Sequence, residues 1–126
     1  MCGINGIAAL TTQTRISEKD VRSMLPSLHH RGPDESGVYL DPNQRIGLGH
    51  TRLSIIDLAG GAQPMHNEDR TVWLTFNGEI FNYLELRKTL LKQGHCFHTQ
   101  SDTEVIVHAL YIKYPKTQDY VIQKSL

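Results

Sequence analysis

The stretch TVWLTFNGEIFNYLELRKTLLKQG, residues 71–94, changes its pattern near the middle. Residues 71–80 are rich in β-branched and aromatic side chains, which is typical of a strand. From residue 83 onward, apolar residues at 83, 84, 86, 90 and 91 predict a helix that Gly94 ends. The sequence therefore predicts a strand, a turn at Asn77 and Gly78, and a helix, in that order.

Similar patterns continue on both sides of this stretch. Ser17 is a candidate N-cap of a first helix, and Pro26 should shorten or kink that helix. Near-continuous apolar residues in the first strand predict that it is buried on both faces. With strands first and helices packed on them, the predicted fold class is α+β. Further strands are predicted at 4–10, 38–40 and 45–58, helices at 17–28 and 103–114, and one more short helix within 115–126.

Composition restricts the class of function. The chain has 126 residues, enough for one domain, with 39% hydrophobic and 21% charged residues. Thirteen basic residues balance thirteen acidic ones, so neither nucleic acid nor an anionic membrane is an expected partner. Only Cys2 and Cys96 carry thiols, which favours a cytoplasmic protein, with a single disulfide between them as the alternative.

Cys2 is a candidate nucleophile because of its position. If Met1 is removed, the Cys2 thiol and a free α-amine lie on the same carbon atom. Such an amine has a pKa of about 7.7–8.0 and a thiol about 8.5, so the amine can accept the thiol proton directly or through one water. The alternative interpretation is that Cys2 is only a small residue near the start of a strand.

Asn77 and Gly78 are candidates for an oxyanion hole. An asparagine amide and an unhindered glycine N–H can converge on one oxygen, and each such donor is worth roughly 2.7–4 kcal/mol in a transition state. Asn-Gly is more often a hairpin turn. A helix follows here instead of a second strand, which favours the oxyanion-hole hypothesis.

The histidines and cysteine at 95, 96 and 98 raise the question of a zinc site. A structural zinc site needs four ligands, and no second ligand pair occurs at finger-like spacing. No metal site is therefore expected from these residues.

Six motifs together resemble the glutaminase domain of class II glutamine amidotransferases of the asparagine synthetase type. The resemblance runs from Met1 to about Tyr114, and the wording of the third and fifth motifs favours asparagine synthetase over other branches of the class. The motifs are MCGINGIAAL (1–10), HRGPDESG (30–37), LGHTRLSIIDL (48–58), GAQPM (61–65), FNGEIFNY (76–83) and SDTEV (101–105).

The resemblance implies a role for each candidate catalytic residue. Cys2 would attack the side-chain amide of L-glutamine, and Asn77 and Gly78 would stabilise the tetrahedral oxyanion. Ammonia would leave, and water would then release glutamate from a thioester on Cys2. No cofactor is implied for this glutaminase step.

The resemblance also implies three substrate-binding residues. Arg52 would hold the glutamine α-carboxylate, and Asp102 with the Glu79 region would receive the α-ammonium. The residues alone allow plainer interpretations: Arg52 as a surface ion-pair partner, Asp102 as part of the N-cap of its helix, and residues 30–34 as a group that shapes a loop.

The implied fold is the αββα sandwich of N-terminal-nucleophile hydrolases, with two antiparallel sheets between helical layers. Residues 1–126 would be a partial glutaminase domain, incomplete on its C-terminal side. The synthetase domain would be a missing partner. ATP and Mg²⁺ are implied only for full-length family members, and no SGG-type loop for ATP occurs here.

Two hypotheses of different class follow. The first is an enzyme domain that hydrolyses glutamine and supplies ammonia for an asparagine synthetase-like transfer to aspartate. The second is a non-catalytic module of the same descent that binds glutamine or a partner chain, with a homodimer through uncovered sheet edges. A reactive Cys2 distinguishes the first from the second.

Overall fold

The computed structural model describes residues 2–53, 60–113 and 120–125. Within these ranges, no helix has the length and apolar character needed to cross a membrane. The strands are β1 (Gly3–Ala8), β2 (Glu35–Leu40), β3 (Ile46–Arg52), β4 (Met65–His66), β5 (Val72–Asn77) and β6 (Tyr120–Ser125). The α-helices are α1 (Glu18–Met24), α2 (Tyr83–Lys92) and α3 (Glu104–Lys113), and a 3-10 helix spans Leu25–Arg31.

The strands form two three-stranded sheets, so the mixed α+β class is confirmed. The first sheet has the order β1-β3-β2 and is antiparallel, with Gly3 opposite Thr51. The second has the order β4-β5-β6, in which β4 is antiparallel to β5. β6 runs parallel to β5, unlike the two purely antiparallel sheets that the resemblance implied. A parallel pair needs a long crossover, and α2 and α3 lie in the chain between β5 and β6.

The structure corrects the helix predicted for the C-terminal tail, and parts of other predicted elements are not described. A helix in the C-terminal tail was the wrong prediction for residues 120–125, because this segment pairs with β5 as a strand. Parts of three predicted elements lie outside the described residues. They are 54–59 of the strand 45–58, residue 114 of the helix 103–114, and 115–119 and 126 of the tail.

The first helix begins as predicted, and it is shortened before Pro26 relative to the predicted range 17–28. The Ser17 N–H donates to Asp20 Oδ2 at 2.8 Å and the Asp20 N–H donates to Ser17 Oγ at 3.3 Å, which is a capping box. α1 ends at Met24, and Pro26 lies in the first turn of the 3-10 helix that follows. This 3-10 helix continues to Arg31, into a segment that the sequence predicted as loop.

Helix α2 ends at the predicted glycine. Gly94 has a φ of +94°, which favours glycine over other residues. The His95 N–H donates to the Leu90 carbonyl and the Gly94 N–H donates to the Leu91 carbonyl, both at 3.1 Å. These two bonds form a Schellman motif and satisfy carbonyls that the end of the helix leaves without partners.

The prediction that β1 is buried on both faces is wrong. Asn5 is buried, whereas Gly6 and Ala8 on the other face are exposed. The Asn5 amide nitrogen donates to the Val21 carbonyl at 3.5 Å, so the buried face of β1 contains a polar contact with α1. Small residues made the sequence look apolar without requiring burial of both faces.

Glu104, at the start of α3, is a buried carboxylate. It accepts hydrogen bonds from the His98 N–H at 2.7 Å, the Thr99 N–H at 2.8 Å and the Thr99 hydroxyl at 2.6 Å. Burial raises the pKa of Glu104, but hydrogen bonds from His108, Thr99 and His98 outweigh it and lower the pKa to about 2. The ionised carboxylate therefore holds the segment before α3 against the helix.

A hydrophobic core lies between the second sheet and α3, and Leu74 of β5 is 0% exposed within it. Leu74→Ala should lower the free energy of unfolding by about 2–5 kcal/mol, because it removes buried methyl groups and leaves a cavity. Urea denaturation measures this change. The control is Leu84→Ala on α2, where the side chain is 65% exposed and the effect should stay within about 0.5 kcal/mol. Equal effects of the two substitutions would contradict this core.

Candidate functional site

A cavity of about 480 Å³ brings together all six residues that the sequence singled out. Their side chains or backbones come from the start of β1, the end of β3, the end of β5 with the turn after it, and the segment before α3. Cys2, Arg52, Asn77, Gly78, Glu79 and Asp102 line it, together with His50, Leu53, Gly61, Gln63, Phe76, Ile80, Phe81, Tyr83, Gln100, Ser101 and Thr103.

Cys2 reaches the cavity because it directly precedes β1. Its N–H donates to Asn77 Oδ1 at 3.2 Å, a bond from the first sheet to the second. Its sulfur Sγ accepts from the Leu53 N–H at 3.5 Å. These two contacts fix both the backbone and the sulfur of Cys2 at the edge of the cavity.

Arg31 holds the same residue from the other side. Its Nε donates to the Cys2 carbonyl at 3.2 Å, from the last turn of the 3-10 helix. The sequence suggested only a loop-shaping role for residues 30–34. Arg31 instead anchors the peptide group of Cys2 directly, and nothing in the linear sequence connects the two positions.

Asn77 and Gly78 lie at the end of β5, as predicted. Because Asn77 Oδ1 accepts from Cys2, its amide nitrogen Nδ2 is directed away from that N–H; this orientation follows from the hydrogen bond. The Phe76 N–H donates to Gln63 Oε1 at 2.6 Å and fixes the strand one residue earlier. Gly78 is exposed toward the cavity, with no side chain to cover its N–H.

Arg52 is 7% exposed and forms part of the cavity wall. Its Nη1 donates to Glu35 Oε2 at 2.9 Å, so it does take part in an ion pair, between a buried guanidinium and a half-exposed carboxylate. Gly61, with a φ of +80°, lies beside the guanidinium, and a Cβ there would be 3.4 Å from Arg52 Nη2. The ion pair and this close approach fix the orientation of the guanidinium.

Asp102 has a different role from the N-cap that was its plainer interpretation. Its Oδ2 accepts from the Ile80 N–H at 2.7 Å, in the turn that follows Gly78. The Thr103 N–H is satisfied by Ser101 Oγ at 3.2 Å. The carboxylate thus shapes the turn beside Asn77 and Gly78, while Glu79 is exposed at the cavity wall.

Comparison with known proteins shows the family of the chain. A family model of the glutamine amidotransferase domain matches residues 1–119. The chain belongs to that family. The amidotransferase domain is also 45% identical over 116 residues to asparagine synthetase [glutamine-hydrolyzing] 1 of Bacillus subtilis, with 90% of the chain covered.

Other relatives have similar names. The domain is 45% identical over 114 residues to asparagine synthetase [glutamine-hydrolyzing] 1 of Arabidopsis thaliana, with 90% of the chain covered. It is 44% identical over 126 residues to the putative asparagine synthetase [glutamine-hydrolyzing] 1 of Methanocaldococcus jannaschii, with 86% covered. The match spans only 18%, 19% and 23% of the length of these three relatives.

Both cysteines of the amidotransferase domain are free, so the alternative of a Cys2–Cys96 disulfide is wrong. Cys96 is exposed and does not line the cavity. The two thiols therefore have different surroundings. The Cys2 thiol lies among the polar groups of the cavity, whereas the Cys96 thiol does not.

His50 is a cavity residue that sequence reasoning missed. It is 1% exposed, and its Nε2 has no hydrogen-bond partner among the described residues. Burial, helped by the charge of Arg52, lowers the pKa of His50 to about 4, although a hydrogen bond with the Phe76 backbone acts in the opposite direction. His50 and Arg52 are two residues apart on β3, so they share a face of the sheet. The cavity wall thus holds a neutral imidazole.

This buried histidine should make stability depend on pH. The unfolded chain protonates His50 below about pH 6.5, whereas the folded chain does so only near pH 4, so acid favours the unfolded state. Between pH 7 and pH 5, His50 should reduce the free energy of unfolding by about 2 kcal/mol. Urea denaturation at both pH values measures the decrease in the free energy of unfolding from pH 7 to pH 5. This decrease should be smaller by about 2 kcal/mol in His50→Asn than in the wild type. His29→Asn, at an exposed histidine, should retain the full drop, and an unchanged drop in His50→Asn would contradict the assignment.

Proposed function

We propose that this domain hydrolyses the side-chain amide of glutamine, with Cys2 as the nucleophile once Met1 has been removed. The observation that carries the proposal is the hydrogen bond from the Cys2 N–H to Asn77 Oδ1 beside the Cys2 thiol. A free α-amine would keep one N–H on Asn77 and direct its lone pair at its own thiol. The amine could then act as the base that the thiol requires.

The chemistry would proceed in two stages. The Cys2 thiolate attacks the amide carbon, a C–S bond forms, and the carbonyl oxygen becomes an oxyanion that accepts hydrogen bonds from Asn77 Nδ2 and the Gly78 N–H. The α-ammonium of Cys2 protonates the amide nitrogen, the C–N bond breaks, and ammonia departs to leave a thioester. Water, deprotonated by the same amine, attacks the thioester and releases glutamate and the thiol.

The charges around the cavity match the two ends of a free amino acid. Arg52 would bind the α-carboxylate through its guanidinium, which suits a planar two-oxygen group. Asp102 and Glu79 would receive the α-ammonium. The volume of about 480 Å³ lies within the range of small-molecule sites, about 300–1,000 Å³.

The relatives suggest where the ammonia goes. Their names include both asparagine synthesis and glutamine hydrolysis, and this chain matches only about a fifth of their length. We therefore propose that the domain is the glutaminase part, with the αββα sandwich of N-terminal-nucleophile hydrolases, of an asparagine synthetase-like enzyme. Amide transfer to aspartate, with ATP and Mg²⁺, would take place in a synthetase part outside this chain.

An electrophilic glutamine analogue tests the nucleophile. Exposure of the purified chain to 6-diazo-5-oxo-norleucine should add one adduct to Cys2, and intact mass with peptide mapping should locate it on a chain that lacks Met1. Excess glutamine should prevent the labelling, because both compounds occupy the same cavity. Cys2→Ala should remain unlabelled, whereas Cys96→Ser should be labelled like the wild type.

A folded, processed chain that stays unlabelled would contradict catalysis. It would favour the alternative hypothesis of a module that binds glutamine or a partner without turning it over. Calorimetric titration with glutamine distinguishes that outcome, since a binding module still binds the amino acid.

Asn77→Ala tests the oxyanion hole. Loss of one donor should lower kcat by about 10²–10³-fold, because the bond to the oxyanion exists only in the transition state. A glutamate-release assay measures kcat and KM separately. Asn82→Ala, at an exposed asparagine just before α2, is the matched control and should leave kcat within about twofold. A change confined to KM in Asn77→Ala would argue that Asn77 only binds substrate.

A further inference from the structure

A second polar cluster lies outside the cavity and consists of Glu68, His95 and His108. The three residues come from the loop after β4, the segment after α2, and α3. His95 Nδ1 is 2.8 Å from Glu68 Oε1, and His108 Nδ1 is 3.2 Å from Glu68 Oε2. One ligand atom from each residue lies within 4.8 Å of the other two. None of the three lines the cavity.

The ring of His108 lies between the carboxylates of Glu68 and Glu104. This residue is 0% exposed, and its Nε2 lies 3.5 Å from Glu104 Oε1 in a hydrogen bond. A carboxylate can only accept, so the Nε2 atom carries the proton. In a neutral imidazole the other nitrogen, Nδ1, then has a lone pair.

That lone pair faces another acceptor. His108 Nδ1 is buried and has no hydrogen bond among the described residues, although Glu68 Oε2 is 3.2 Å away. A buried lone pair and a carboxylate oxygen at this distance repel each other unless a cation lies between them. Two cations fit this position: a proton on Nδ1, or a metal ion shared by the nitrogen and the carboxylate.

We infer that Glu68, His95 and His108 bind a divalent transition-metal ion of the zinc class. Two imidazoles and one carboxylate are a ligand set that zinc uses in proteins, with a fourth position left for water. Glu104 supplies the outer carboxylate that commonly orients a metal-bound histidine through its second nitrogen. His95 lies against the same carboxylate, so each of the three side chains can supply one ligand atom to a shared ion.

Two of the three ligand pairs lie near the separation found around a bound ion, each histidine facing a different oxygen of Glu68. All three ligand atoms lie within 4.8 Å of one another, so they would move closer together around an ion. Zinc held at about 2.1 Å by tetrahedral ligands separates those ligands by about 3.4 Å. The His108–Glu68 pair, at 3.2 Å, already has nearly this separation. The His95–Glu68 pair, at 2.8 Å, would open slightly as the ion replaces their hydrogen bond.

The ion would have a structural role, because the site joins three segments and lies apart from Cys2. It would fasten the end of α2 to α3 and to the loop after β4. Binding only to the folded state raises the melting temperature by mass action, so stability reports on the site without any measurement of activity.

Zinc titration of the metal-free chain tests this inference. Cys96→Ser is the starting protein throughout, so that the neighbouring exposed thiol supplies no ligand. Calorimetry and elemental analysis should find one zinc per chain, with a higher melting temperature. Glu68→Gln and His95→Gln should each weaken binding by more than about 100-fold, since loss of an outer-shell partner alone costs about 10–100-fold. His98→Asn, at an exposed histidine nearby, should bind zinc like the starting protein.

Two results would overturn the inference. One is no binding of zinc or cobalt by the folded starting protein; nitrogen NMR would then show whether a proton on Nδ1 of His108 occupies the position instead. The other is zinc binding that survives unchanged in both Glu68→Gln and His95→Gln, since the ion then binds elsewhere, for example at the adjacent exposed His29 and His30.

Discussion

The hydrogen bond between the Cys2 N–H and Asn77 Oδ1 joins the start of β1 in one sheet to the end of β5 in the other. Chain ends fray unless they are held, and a nucleophile near a terminus is useful only at a fixed position. The antiparallel register of β1 with β3 aligns this end of the chain, and Arg31 and the Leu53 N–H hold the carbonyl and the sulfur. The cavity can form only where these contacts bring the two sheets together.

Local sequence patterns predicted the parts of the fold that depend on local interactions. The capping box of Ser17 and Asp20 and the Schellman motif at Gly94 involve residues close in sequence, so short patterns suffice to find them. The failures involve distant partners. The tail became a strand because β5 offers it a parallel neighbour, and the buried face of β1 contacts α1 through the polar side chain of Asn5.

In the candidate site, too, residues with a sequence motif were predicted and groups brought there by distant contacts were missed. Motif resemblance singled out six residues that the structure brings to one cavity. It missed groups without a sequence signature, such as the Leu53 N–H and the unpaired Nε2 of His50. In the sequence, His95 was considered as a metal ligand only together with its neighbours Cys96 and His98. The structure instead brings His95 within 5.1 Å of His108, measured between ring centroids, which no local spacing reveals.

The segment that leads into α3 connects the cavity with the second cluster. Asp102 bonds Ile80 in the turn beside Gly78, while Glu104, two residues later, bonds the backbone of His98 and Thr99. A buried carboxylate is tolerated only while such bonds are kept, so Glu104 fixes the start of α3. A displacement of α3 that broke these bonds would also withdraw Asp102 from the turn that presents the Gly78 N–H. The order of the cavity therefore depends on polar contacts that never touch it.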